Sequence, residues 1–286
     1  MNLKKISSAL LACVMAGVLF TGCGEKLEQN PEPQEIKLGT LKYLNADENS
    51  LDENAVNEWE KSDIRIIKHK LFFFDNLTAI KMAFDAGQID EIGTYKIVAD
   101  YLVARDSKLE ILTMTHETTA DTFEDTFVFA MRAEDTDLKN SVDAQLEAMK
   151  NDGTLDNLIK IYITDLKGTE VPSAVEFETF DGAETLKIGV TGDLPPLDFI
   201  SADGKATGFN TAVLSELGKR LQRNIEIVQI NSAARAAALS SGNIDISFWA
   251  VVPQNEALPA DLDKPQGVEF SVPYFKDELV HIGLKK

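Results

Sequence analysis

Asp193 and Asp198 flank Pro195-Pro196, and two carboxylates this close could serve as a general acid and a general base. Five residues apart around a Pro-Pro turn, they share one loop, which suits a structural or ligand-orienting role better. No nucleophile and base pair stands beside them. The two cysteines, Cys13 and Cys23, both lie near the N-terminus, so the rest of the chain has no disulfide, thiolate nucleophile or sulfur metal site. The three histidines, at 69, 116 and 281, are scattered. The sequence therefore predicts no catalytic residues, no metal and no cofactor, and a binding protein rather than an enzyme.

The formal charge of −19 repels phosphate backbones and anionic lipid surfaces, which argues against nucleic acid as a partner. Lys4 and Lys5 precede an uncharged run from Ile6 to Phe20, too short for a permanent span and suited to a secretory signal. Leu19-Phe20-Thr21-Gly22-Cys23 resembles a bacterial lipobox, with Phe20 departing from the usual aliphatic residue. Residues 1–22 are accordingly expected to be a lipoprotein signal peptide, and Cys23 the acylated anchor in an extracytoplasmic membrane leaflet. Residues 23–35, polar and containing Pro31 and Pro33, are expected to form a flexible tether.

The elements that would position a binding site alternate between β-type runs and amphipathic helices, the pattern of an α/β protein. Strands are predicted at 36–39, 64–74, 89–93, 109–114, 127–131, 186–191, 225–230, 244–249 and 279–284. Helices are predicted at 51–61, 76–86, 96–104, 137–150, 154–163, 210–221 and 232–240. Residues 165–184 are polar, with Gly and Pro, and are expected to be a linker. A weak repeat relates 82–90 to 237–245: in both, a helix ends at Gly and a strand begins through Ile-Asp.

Leu186 to Val190, Asp193 to Phe199, Asp203-Gly204-Lys205, Gly208-Phe209-Asn210, Ser240 to Asp245 and Phe270 to Phe275 together resemble type II bacterial solute-binding proteins. More narrowly, they resemble the polar-amino-acid-type family. Gly39-Thr40, Ala86 to Asp90, Val98 to Leu102, Phe127 to Met131 and Ala148 to Leu155 resemble that family's second lobe, return strand and closing helices. In the family these segments follow the first lobe; here they precede it. The resemblance implies a two-lobed periplasmic-binding-protein-like type II clamp, apparently circularly permuted. The implied divisions are a lobe 2-like segment at 36–122, a return strand and closing helices packing on lobe 1 at 123–166, a linker at 167–184, and a lobe 1-like segment at 185–286. Two incomplete halves that need a partner chain are the rival arrangement.

The family's amino-acid binders grip the ligand carboxylate with a Thr-x-x-Arg element and the ammonium with an Asp. Here no Arg occurs between Asp245 and Tyr274, and Tyr95 falls about where the Asp would. The resemblance thus implies a small solute that is not a free α-amino acid, delivered by a monomer to an ABC-type importer. The residues at matched positions are Asp193, Leu194, Asn231, Arg235, Trp249, Ala250 and Val252 from one lobe, and Lys37, Gly39, Thr40, Thr94 and Tyr95 from the other. Trp249 and Tyr95 could stack on a flat ligand or hold a cation. Arg235 would either reach an anionic group or sit on a solvated helix face. Gly39-Thr40 is expected to open a helix whose free amides favour an anion. Alternatives to capture for import are a ligand sensor, a degenerate clamp that contacts another protein, and, less expected, an enzyme on the same fold.

Overall fold

The computed structural model describes residues 35–51, 68–112, 124–254 and 258–285. The expected signal peptide, Cys23, most of the tether and the expected helix after Leu51 lie outside the described residues. No described helix is long and apolar enough to cross a membrane.

Thirteen strands are described, ten of them in one sheet of order β10-β6-β11-β5-β13-β3-β1-β2, with β12 added to β5 and β4 to β13. One lobe holds β1 (Glu35–Leu41), β2 (Lys68–Phe74), β3 (Glu91–Tyr95) and β4 (Leu109–Leu112), with α1 (Leu77–Asp85) and α2 (Lys96–Val103). The other holds β5 (Glu124–Arg132), β6 (Thr185–Val190), β10 (Asn224–Gln229), β11 (Ile246–Pro253) and β12 (Val268–Phe270). Its helices are α3 (Thr136–Asn151), α4 (Thr154–Ile159), α5 (Phe209–Leu221) and α6 (Arg235–Ser240). A small sheet of β7 (Asp193–Leu194), β8 (Asp198–Ile200) and β9 (Ala206–Thr207), which strand periodicity does not reveal, forms the loop around Pro195-Pro196.

β13 (Phe275–Leu284) belongs to both lobes. Its first half pairs antiparallel with β5, from Phe275 opposite Phe127 to Glu278 opposite Glu124. Its second half pairs with β3 and β4. β13 thus passes from one lobe into the other, with β5 beside its first half.

β5 is a continuous apolar run because both its faces are covered. Phe127, Phe129, Ala130 and Met131 are fully buried. α3 presents Val142, Leu146 and Met149 at helical spacing to the same core and packs on α5. Arg220 of α5 holds the turn between α3 and α4 by an ion pair to Asp152 (2.9 Å) and a hydrogen bond to the Thr154 hydroxyl (2.8 Å). The last predicted helical turn becomes a π-helix at Lys160–Thr164. Residues 167–184 contain no helix and only an isolated bridge, Ala174 to Thr207. They are nonetheless tied down: Ser215 donates to the Glu176 carbonyl and the Phe180 N–H donates to the Asn224 side chain.

The sequence repeat has a structural counterpart. The Lys37 N–H donates to the Asp90 carboxylate (2.8 Å) and the Asp90 N–H donates back to the Lys37 carbonyl. Lys187 and Asp245 make the same pair of bonds in the other lobe. Gly87 and Gly242, at φ 68° and 70°, turn each helix into the strand that follows.

Candidate functional site

Gly39 and Thr40 lie inside β1, so no helix opens at them and they offer no free helix amides, which corrects the sequence expectation. Gly39 packs closely: a Cβ there would come within 2.3 Å of the tip of the Ile89 side chain, which would have to shift, as one at Gly189 would come within 2.5 Å of that of Ile244. Thr40 and Thr94 are buried in the sheet.

The lobes meet at the N-terminus of α1. Asn76 caps this helix by accepting from the Ala79 N–H (2.8 Å). The next free amide, on Thr78, donates to the carboxylate of Asp193 from the other lobe (2.8 Å), and the Thr78 hydroxyl donates to the same oxygen (2.9 Å). Beside it, the Ser232 N–H donates to the Asp75 carbonyl (3.0 Å) and the Ser232 hydroxyl to the Phe74 carbonyl (3.1 Å). A groove of about 830 Å³ opens here, lined by Asn76, Thr78 and Met82 from one lobe and Asp193, Gln229 and Asn231 from the other. The second carboxylate oxygen of Asp193 is buried without a protein hydrogen-bond partner.

Deeper between the lobes lies a cluster of aromatic and charged groups. Trp249 is 6% exposed, in a bulge of β11 where its φ is 61°. It stacks on Tyr43 (centroids 6.5 Å apart, planes 7°) and meets Tyr95 edge to face (6.0 Å, 86°). The indole N–H of Trp249 has no protein partner. Tyr95 donates its hydroxyl to Asp125.

Arg235 is 1% exposed, neither on a solvated face nor open to the groove. It donates to the carbonyls of Ser232 (3.1 Å), Phe248 (3.3 Å) and Trp249 (2.7 Å), and across the lobe boundary to that of Lys42 (2.8 Å). Burial lowers its pKa to about 10, opposed by the charges of Asp263 and Asp198. Asp263 accepts from the Asn45 and Ala46 amides, and its other oxygen is unpartnered.

Burial, reinforced by Asp263, pushes the Asp125 carboxyl up to about 6 although the Tyr95 hydroxyl opposes the shift. Asp277, opposite Asp125 in the β5–β13 ladder, is likewise pushed up to about 6 by burial. A carboxyl with a raised folded pKa holds its proton more tightly when folded. Its contribution is greatest below the unfolded value near 3.8 and is lost as pH rises through about 6. Two pH units correspond to about 3 kcal/mol at most. Asp125→Asn, which can still accept from Tyr95, should therefore be about 1–3 kcal/mol more stable than wild type at pH 7. The difference should nearly vanish at pH 4. Urea melts at the two pH values check this, and a variant less stable than wild type at pH 7 would overturn it.

The remaining expected residues separate into core and rim. Leu194 (1% exposed) and Ala250 (0%) point into the core. Val252 is half-buried, and its carbonyl accepts from the Thr126 hydroxyl. Asn231 is exposed on the groove. Asp198 is buried and accepts from the Gly192 N–H (3.0 Å), and burial together with the charge of Asp193 raises its pKa. Sequence reasoning missed Thr78, Tyr43, Asp125 and Asp263. Asn76-Leu77-Thr78 carries a readable capping signal. The other three come from separate segments and had none.

Two α/β lobes that share β13, with a groove between them, define a fold of the type II periplasmic-binding-protein-like class. Residues 186–285 match the family of bacterial extracellular solute-binding proteins, family 3. The chain is 32% identical over 101 residues to a probable histidine-binding protein of Campylobacter jejuni, a match covering 35% of this chain and 36% of that one. It thus spans about a third of the length of that relative. Among solved structures, it is similar to a ligand-binding component of an ABC-type import system from Staphylococcus aureus with zinc bound. That likeness has a TM-score of 0.45 and 14% identity, and covers 88% of this chain and 66% of the other. An alkanesulfonate-binding protein from Xanthomonas axonopodis pv. citri, bound to MOPS, is similar at a TM-score of 0.40 and 12% identity, over 90% and 67% of the two chains.

Proposed function

We propose that this chain is an extracytoplasmic solute-binding protein that captures a small organic solute between its lobes for an ABC-type importer. The observation that carries this reading is the groove at the N-terminus of α1, to which both lobes contribute polar groups. Asp193 and Trp249 each leave a buried polar atom unpartnered near the lobe boundary. A solute with both a hydrogen-bond donor and an acceptor would satisfy them. A free α-amino acid does not suit it, because Arg235 is spent on backbone carbonyls and no other Arg follows before Tyr274. The same proposal places acylated Cys23 at the membrane and reads the lobe order as permuted, with residues 123–166 completing the lobe built from 185–286.

A second reading is favoured by the bonds already made across the boundary. Thr78 donates to Asp193, and Ser232 donates to the Phe74 and Asp75 carbonyls, so the lobes hold each other directly. In that reading the clamp is degenerate and its surface contacts another protein.

Calorimetry against amino acids, amines, organic acids and aromatic metabolites separates the two. Import predicts that one non-amino-acid class binds. Trp249→Phe, which keeps a ring and removes the indole N–H, should weaken that binding about tenfold, one hydrogen bond's worth. Trp249 is buried, so the smaller ring should also lower the melting temperature, and binding is compared well below both midpoints. Submicromolar binding of an ordinary α-amino acid would overturn the ligand assignment, and binding of nothing in the panel would favour the degenerate clamp. In cells, Cys23→Ser should move the chain out of the membrane fraction.

A further inference from the structure

His69 and His281 stand far apart in sequence, on β2 and β13, yet the sheet brings both onto Glu91 at the start of β3. His281 Nδ1 lies 2.9 Å from Glu91 Oε2, and His69 Nε2 lies 3.4 Å from the same oxygen. The imidazole rings are 4.7 Å apart at 83°. One ligand atom from each of the three side chains lies within 4.8 Å of the other two. Strand register explains the convergence. His69 is opposite Ile36, Glu91 opposite Leu38, and His281 opposite Gly93, so alternation along the pleat puts all three side chains on one face. Gly93, on that face across from His281, contributes no side chain of its own.

We propose that His69, Glu91 and His281 form a binding site for a divalent transition metal of the zinc class. Two imidazole nitrogens and one carboxylate oxygen are the donors such ions take, whereas magnesium and calcium prefer oxygen alone. Donors held at about 2.0–2.1 Å around a tetrahedral ion lie about 3.3 Å from one another, close to the 2.9 and 3.4 Å that separate the two histidines from Glu91. Small rotations of three side chains would therefore admit the ion, with water in the fourth position. The three groups are mostly shielded, at 22%, 14% and 9% side-chain exposure, so an ion there would be largely dehydrated. Glu91 and Tyr95 are the two ends of β3, so the site lies about 13 Å along the strand from the lobe boundary. It is distinct from the groove, and an ion there would tie β2 and β13 to β3.

The test uses the purified full chain, stripped with a chelator and titrated with zinc, cobalt and magnesium ions by calorimetry. Zinc should bind one to one, cobalt should develop the visible absorption of a tetrahedral complex, and magnesium should not bind. His69→Gln, His281→Gln and Glu91→Gln should each weaken zinc binding at least about 100-fold, the upper end of what loss of a mere supporting partner costs. Zinc should raise the melting temperature of wild type and not of these variants. His69 is on the edge strand, so His69→Gln should keep the far-UV spectrum of wild type and serves as the folded control. Failure of wild type to bind zinc would overturn the site. So would unweakened binding or the same cobalt spectrum in the His69→Gln/His281→Gln double variant.

Discussion

Residues 185–286 expressed alone should give a chain that does not melt cooperatively. This segment contains β6 to β13 and α5, but its sheet is interrupted, because β5 lies between β11 and β13. The fragment also lacks α3, which packs on α5. Six fully buried side chains go with them: Phe127, Phe129, Met131, Val142, Leu146 and Met149. At about 1.5–3 kcal/mol each, their loss removes about 9–18 kcal/mol, as much as the entire stability of an ordinary domain. Extending the fragment to 124–286 should restore a cooperative transition by returning the central strand and both closing helices. Calorimetric scans of the two fragments and the full chain decide the matter. A sharp transition of 185–286 at the midpoint of the full chain would show that the segment folds without β5, and the permuted reading would fall with it.

Arg235→Ala should lower stability by about 3–5 kcal/mol, the range for removing one partner of a buried charged network. Four carbonyl contacts disappear with the guanidinium, one of them across the lobe boundary to Lys42. At about 2–4 °C per kcal/mol for a chain of this size, the melting temperature should drop by about 6–20 °C. Arg235→Lys should rescue little, because an ammonium cannot span carbonyls that the planar guanidinium reaches together. Melting curves of both variants are the measurement. An unchanged midpoint combined with lost solute binding would return Arg235 to the ligand.

Much of the fold was legible because periodicity and helix ends report local physics. Val142, Leu146 and Met149 mark the inner face of α3, and the Gly-x-Ile-Asp turns mark where helices pass into strands. The type II clamp inferred by resemblance matches the fold observed. The short strands β7 to β9 escaped because two or three residues cannot show a period.

The site was less legible, since it depends on which residues face one another across long sequence separations. Asp193 and Asn231 were expected and do line the groove, but Thr78, which holds Asp193, comes from the other lobe. Arg235 offered two readings, ligand contact or solvated charge. The structure gives a third, a buried strut between backbone carbonyls. Gly39 looked like a helix opening, and its actual constraint, the Ile89 side chain behind it, is invisible in sequence.

The position of β13 also governs when the molecule can be completed. Its first four residues finish the sheet of one lobe and its last six finish the other, yet it is the final strand of the described chain. During synthesis β5 emerges long before β11 and β13, the strands that flank it. Both lobes take residues 275–284 into their sheets, so each depends on a pairing of high sequence separation. Completion of the two lobes is therefore coupled through a single strand.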